Sequence, residues 1–318
     1  MSNPLVSYII PSYNHAPYIE QAINSVLKQT YENIELIIVD DGSKDDTHQV
    51  LEQFKEYPNI TILFNKKNLG QSASLNKGLN VAKGDYIGLL PSDDWLLKDK
   101  VKLQMVKFSE CDSNVGMIYG KGIRHFQYAD GTTKDIVTEG DMERGYLAES
   151  LIKRGNFIYP ITPLFKRECF EKCPPDESYR AEGESIYLKM GLYFKFDYID
   201  DVVAVMRDHP NNTGKMTDLM YADNLRYLQE YFAIPGLPAS IKQYETIKIA
   251  NLKKIKSMEF MVSKFEFSRG RKLALEALKL DKSNMKNPKF IFAILITYLP
   301  KTLSKLIINR LHKKKESI

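Results

Sequence analysis

The chain has 318 residues, enough for one large α/β domain with an appendage or for two modest domains. With 43% hydrophobic and 27% charged residues it sits near globular averages, which excludes global disorder. The net charge of +5 is unevenly spread: 19 basic and 6 acidic residues lie from Ser240 onward, against 26 and 34 before it, so two surfaces with different partners are expected. Three cysteines, Cys111, Cys169 and Cys173, make neither a disulfide framework nor a zinc set and read as reduced thiols. The N-terminus reads as strand rather than leader. No window reaches the ~18 consecutive apolar residues of a spanning helix, so a cytoplasmic chain is expected.

Strand and helix signals alternate over the first 120 residues. Val6 to Ile10 reads as a buried strand stopped by Pro11, and Ala16 to Gln29 carries Ile19, Ala22, Ile23, Val26 and Leu27 at helical spacing. Ile34 to Val39 is a second strand, ended by Asp40-Asp41-Gly42-Ser43, with a helix from about Asp45 to Lys55. Ile60 to Phe64 is a third strand, Ser72 to Ala82 a helix, and Tyr86 to Leu90 a fourth strand that runs into Pro91-Ser92-Asp93-Asp94-Trp95. The pattern predicts a mostly parallel sheet flanked by helices, an α/β fold that binds ligands beyond the C-terminal strand ends. Polar residues gather at those ends: Ser12, Tyr13 and Asn14, then Asp40 and Asp41, then Asp93 and Asp94. After a strand at Val115–Tyr119, residues 121–210 are less regular. The breakers Ile234-Pro235-Gly236-Leu237-Pro238 read as a linker, which predicts domains at 1–233 and 239–318, the second basic and helical.

Adjacent carboxylates such as Asp93-Asp94 repel unless a cation or a hydrogen-bonding ligand relieves them. A divalent cation or the ribose of a nucleotide would do so, and a helix cap is the plainer alternative. Asp40-Asp41-Gly42-Ser43 is either an ordinary turn or a carboxylate for a uracil N3–H. The sequence has no GxGxxG after its first strand and no GxxxxGK[ST], which argues against dinucleotide binding and P-loop chemistry. A nucleotide held by carboxylates and metal points to a nucleotide sugar.

Val6-Ser7-Tyr8-Ile9-Ile10-Pro11-Ser12-Tyr13-Asn14, Ser25 to Tyr31, Glu35 to Ser43, Asn68-Leu69-Gly70, Gly84-Asp85-Tyr86-Ile87 and Ser92-Asp93-Asp94 match, in order and spacing, the inverting family 2 glycosyltransferases of the GT-A fold. The resemblance covers roughly residues 4–215. It implies a metal-dependent enzyme that moves a sugar, with inversion, from a nucleoside-diphosphate sugar (commonly UDP-linked) with Mn²⁺ or Mg²⁺. By the same resemblance Pro11, Tyr13 and Asn14 line the base, with Gly70 in the nucleotide site. Asp41 holds the uracil edge, Asp93 contacts ribose, and Asp94 binds the metal. His209, in Arg207-Asp208-His209-Pro210, approaches metal or diphosphate, or is an ordinary turn histidine. The motif is Ser-Asp-Asp rather than Asp-X-Asp. Inversion needs a carboxylate base. The family's Asp position falls on Gly183 here, leaving Glu184, or else Glu182, for that role.

Toward the C-terminus, Phe290 to Ile296 is apolar, and Leu303, Leu306, Ile307, Ile308 and Leu311 alternate with Lys301, Lys305 and Arg310 before Lys313-Lys314-Lys315. These segments are too short to span a bilayer but suit its anionic surface, or pack on the rest of the chain. No nucleic-acid motif is present. The expected acceptor is a saccharide or lipid-linked glycan at the inner face of the cell membrane. The alternative is a non-catalytic sugar-nucleotide-binding or scaffold protein.

Overall fold

The computed structural model describes residues 3–128, 130–138, 140–179, 185–209, 212 and 217–316. The chain divides into two compact units, Met1–Lys215 and Met216–Ile318. The first opens with β1 (Val6–Ser12), α1 (Ile19–Leu27), β2 (Ile34–Asp40), α2 (Thr47–Glu52), β3 (Ile60–Phe64), α3 (Gln71–Leu79) and β4 (Tyr86–Leu89). It continues through β5 (Trp95–Leu96), α4 (Lys100–Glu110), β6 (Val115–Gln127), β7 (Thr133–Val137), α5 (Ala148–Arg154), β8 (Leu164–Lys166), α6 (Arg167–Lys172), α7 (Ile186–Tyr193) and β9 (Lys195–Asp208).

The strands form one sheet in the order β3-β2-β1-β4-β8-β6-β9-β5, with β7 paired to β6. Pairing is parallel from β3 to β4 and mixed beyond it. β1 is buried on both faces: Tyr8 and Ile10 enter one core cluster, and Ile9 enters the other. That two-sided burial is why the strand reads as an unbroken apolar run. Helix α3 approaches β1 closely through Gly78, where a Cβ would meet the Ile9 side chain at 2.5 Å.

The region that looked irregular in sequence holds a hairpin, β6 to β7, and the 14-residue β9. β7 is exposed along its whole length, so no buried face imposes alternation on it. The hairpin is held instead by pairs that a hydrophobic pattern does not register. His125 meets Asp135 at 2.6 Å, and the Arg124 guanidinium pairs with Asp208 on β9.

The second unit is helical: α8 (Thr217–Phe232), α9 (Ala239–Lys242), α10 (Glu245–Met258), α11 (Phe267–Leu280), α12 (Pro288–Ile296) and α13 (Lys301–Glu316). Its start differs from the linker expected at 234–238. Lys256 on α10 and Lys264 reach Asp218 on α8 at 2.5 and 2.9 Å, which ties α8 into this unit and makes the breaker run an internal turn. α10 and α11 cross closely at Gly270, where a Cβ would lie 2.4 Å from Met261 Cγ. Met261, Ala274, Ala277, Phe290, Ala293 and Ile294 form its core. No helix among the described residues is long and apolar enough to cross a membrane.

Candidate active site

The site lies at the C-terminal ends of β1, β2 and β4. After β2 the two aspartates part ways. Asp40, fully buried, accepts from the Ser43 amide at 3.1 Å, from the Ser43 hydroxyl and from His48 Nε2 at 2.7 Å, so it holds the turn. Asp41 reaches across to the loop before α3. Its carboxylate accepts from Asn65 Nδ2 at 2.9 Å, the Leu69 amide at 2.9 Å and the Gly70 amide at 2.8 Å. An ionised carboxylate has about four acceptor directions, so one stays open for a further N–H donor.

Two glycines make this closure possible. Gly42 has φ +73°, and a Cβ there would lie 2.9 Å from the Lys67 backbone. Gly70, at φ 100°, precedes the first turn of α3. Asn14 is in the left-handed region too (φ 54°), where asparagine is better tolerated than most residues. Its side-chain oxygen accepts the Lys44 amide at 2.7 Å, and its own amide donates to Ser43 Oγ at 2.9 Å, which locks the β1 and β2 loops together. β1 does not stop at Pro11 as the sequence suggested but runs on to Ser12, paired with Asp40, because Pro11 fits the ladder opposite Val39; Tyr13 is 39% exposed at the rim.

After β4 the chain turns into β5, which pairs antiparallel with β9 at Trp95–Val205 and Leu96–Ala204. Continued outward, that register sets Asp94 beside Met206 and Asp93 beside Arg207, just ahead of His209. Asp94 accepts the Arg207 amide at 2.7 Å. Arg207 Nε donates to the Asp93 carbonyl at 3.0 Å, its Nη2 to Gln21 Oε1 at 2.5 Å, and its guanidinium lies 4.8 Å from both the Tyr18 and Trp95 rings. Burial, with the Asp93 charge beside it, holds the Asp94 carboxyl well above the usual carboxylate range, against the opposing pull of Arg207.

Asp93 points the other way. Its Oδ2 lies 3.1 Å from His209 Nε2 and 3.2 Å from Asn212 Nδ2. His15, Asp93 and His209 bring their donor atoms within 4.8 Å of one another. Ser92 Oγ sits 2.7 Å from His15 Nδ1 and sets that ring's orientation. Burial lowers the His15 pKa despite the nearby Asp93, so the ring stays neutral and able to ligate at neutral pH. Two imidazoles and one carboxylate fit a borderline divalent cation. Mn²⁺ accepts both nitrogen and oxygen donors, whereas Mg²⁺ favours oxygen alone.

The geometry thus groups Asp93 with His209, and adds His15, while Asp94 braces the β9 backbone. His15, Gln21, Asn65, Arg207 and Asn212 were not read as site residues. The one hint in sequence for His15 was its place directly after Asn14 in the first strand-end loop. Glu182 and Glu184 lie outside the described residues. The helix after them, α7, begins with Ile186 and Tyr187, which line a cavity of about 110 Å³ with Pro11, Leu75, Pro91 and Phe170.

A sheet that is parallel from β3 to β4, with carboxylates beyond the ends of β2 and β4 and polar residues beyond the end of β1, has the architecture of a GT-A-type transferase. Residues 7–172, more than half of the chain, match the family described as Glycosyl transferase family 2, and the chain belongs to that family. It is 30% identical over 217 residues to the glycosyltransferase GlyG of Streptococcus pneumoniae, covering 64% of this chain and 70% of GlyG. It is 43% identical over 103 residues to TuaG of Bacillus subtilis, a putative teichuronic acid biosynthesis glycosyltransferase, covering 32% and 41% of the two chains. Among solved structures, residues 1–349 of S. aureus TarS in complex with UDP-GlcNAc share the fold, at TM-score 0.65 and 16% identity over 98% of this chain and 92% of that one.

Proposed function

We propose that this chain moves one sugar from a uridine-diphosphate sugar to a saccharide acceptor, lipid-linked at the inner face of the cell membrane, with inversion and with the help of Mn²⁺ or Mg²⁺. The observation that carries the reading is the cluster of His15, Asp93 and His209 at the same sheet edge as Asp41, whose carboxylate keeps one acceptor direction open. The UDP-GlcNAc complex of TarS supports a uridine donor, and the name of TuaG supports an envelope polysaccharide as product.

In this reading Asp41 accepts the uracil N3–H, with Pro11, Tyr13, Asn14 and the Gly70 loop shaping the base site. His15, Asp93 and His209 hold the cation. When bound, it offsets the charge that develops on the departing diphosphate. Arg207, pinned by Gln21, Tyr18 and Trp95, fixes the backbone on which Asp93 and His209 depend. The apolar cavity beside Pro11 and Pro91 takes sugar. Glu184, with Glu182 as the alternative, removes the acceptor proton.

Calorimetric binding and turnover with UDP-, GDP- and dTDP-sugars, with Mn²⁺ or chelator, test the donor side. Metal-dependent binding of a UDP-sugar by the wild type is expected. Glu184→Gln should keep that binding and lose transfer by about 100-fold or more. No metal-dependent interaction with any nucleotide sugar would overturn the reading in favour of a scaffold.

A further inference from the structure

The second unit ends in two helices whose outer face has no cover. On α12 and the turn after it, Phe292, Leu295, Tyr298 and Leu299 are 46, 61, 64 and 41% exposed. On α13, Leu303 and Leu306 are 44 and 51% exposed. Phe292 and Leu295 are three apart on α12, and Leu303 and Leu306 are three apart on α13, so each pair shares a helix face, with Tyr298 and Leu299 exposed in the turn between the helices. The opposite faces are accounted for. Phe290, Ala293 and Ile294 enter the core, and Ile296 and Ile308 pack with Phe267. Ser304 is buried and donates to the Ile296 carbonyl at 2.8 Å, which sets the start of α13 against the end of α12. The outward leucines are therefore surplus to folding, and contiguous exposed apolar surface of this kind marks an interaction site.

Charge identifies the partner. From Lys282 to Arg310 the chain has six basic residues and no acidic one, and Lys313-Lys314-Lys315 follows. Lys289, Lys301, Lys305 and Arg310 are themselves exposed around the apolar stripe. α12 has 9 residues and α13 has 16, several of them lysine, so neither supplies the ~20 apolar residues that span a bilayer. Short helices with an apolar face rimmed by lysine lie in the plane of a bilayer surface, leucines at the acyl boundary and ammonium groups at anionic headgroups.

We propose that α12 and α13 form a docking surface for an anionic lipid bilayer, with Phe292, Leu295, Leu299, Leu303 and Leu306 entering the interface. This deepens the transferase reading by naming how the chain meets a lipid-linked acceptor, and it rests on that reading only for its purpose. The surface itself stands on exposure and charge.

The test is co-sedimentation of the full chain with vesicles of pure phosphatidylcholine, or of phosphatidylcholine mixed with phosphatidylglycerol, at low and high salt. Two variants are compared with wild type: Leu295→Glu/Leu306→Glu, and Lys301→Gln/Lys305→Gln. Thermal unfolding and Mn²⁺-dependent UDP binding are recorded for each, so that loss of fold or of the donor site is seen separately. The wild type should partition at least ~10-fold better onto the anionic vesicles and lose that preference in high salt. Either double variant should lower partition by about 10-fold or more, with UDP binding intact. Three results overturn the proposal: equal partition onto both vesicle types, no partition at all, or partition unchanged in the leucine variant. A wild type that is dimeric, and a leucine variant that is monomeric with unchanged sedimentation, would assign the face to a second copy of the chain instead. A wild type that ignores vesicles yet binds UDP removes the docking surface and leaves the transferase reading standing.

Discussion

Single side chains at the site are distinguished by what they face, not by their type. Asp93 and Asp94 are neighbours in sequence, but β5 pairing turns one toward His15 and His209 and the other onto the Arg207 amide. Asp94 accepts the Arg207 amide, and an asparagine Oδ1 can accept the same bond, so Asp94→Asn should keep Mn²⁺-dependent UDP affinity within a few-fold. Asp93→Asn removes a charged donor and should weaken that affinity by about 100-fold. Calorimetry on both variants separates this arrangement from one in which Asp94 binds the metal. Lys100 is a second buried charge, bonded to Gln104 Oε1 at 2.6 Å and facing the Pro163 carbonyl. Burial lowers its pKa from 10.5 to about 7. The unfolded chain keeps this proton up to pH 10.5 and the folded chain only to about 7, so between these values unfolding takes up a proton and stability rises with pH. The cost of burying Lys100 is full below pH 7 and is relieved toward pH 10.5. Denaturant titrations should show any advantage of Lys100→Met over wild type shrinking across that window, by at most ~1.4 kcal/mol per pH unit.

Among the elements, the loop between β2 and α2 and the loop before α3 act as one piece, because Asp41 bonds the second from the first. Gly42 is the hinge of that closure. Gly42→Ala would force a Cβ into a left-handed backbone and against the Lys67 main chain, a loss of about 1–3 kcal/mol in stability. It should also weaken UDP binding, since Asp41 can no longer meet Gly70. Urea unfolding alongside calorimetry would show both effects in one variant. The strands and helices of this half were legible because β1 and β2 are buried on both faces and α1 on one, which writes their periods into the residues. The β6–β7 hairpin and most of β9 were not. β7 is solvated along its whole length, β9 mixes buried and exposed positions without a clean period, and Arg124–Asp208 and His125–Asp135 are pairs that leave no periodic trace. The boundary at 215/216 differs from the expected one for a related reason: Pro235 and Pro238 break the helix wherever they fall, and the contacts of Asp218 with Lys256 and Lys264 reveal that α8 belongs with the helices after them.

At the scale of the whole molecule, binding to the folded state alone should raise its stability. UDP with Mn²⁺ at about 100 times the dissociation constant should add ~2.7 kcal/mol, visible as a higher melting temperature that chelator reverses. The transferase fold, the family, the strand ends where polar residues gather and the charge division between the two halves were all determined by sequence alone. They depend on local order and spacing, which one dimension records. The partnership of His15 with Asp93 and His209, the opposite duties of Asp40 and Asp41, and the bare leucine face of α12 and α13 were decided only in the tertiary structure. His209 meets Asp93 across 116 residues and the Leu69 amide meets Asp41 across 28, and the leucine face is the side that α12 and α13 leave outward when they pack; strand register and helix packing, not residue order, set these.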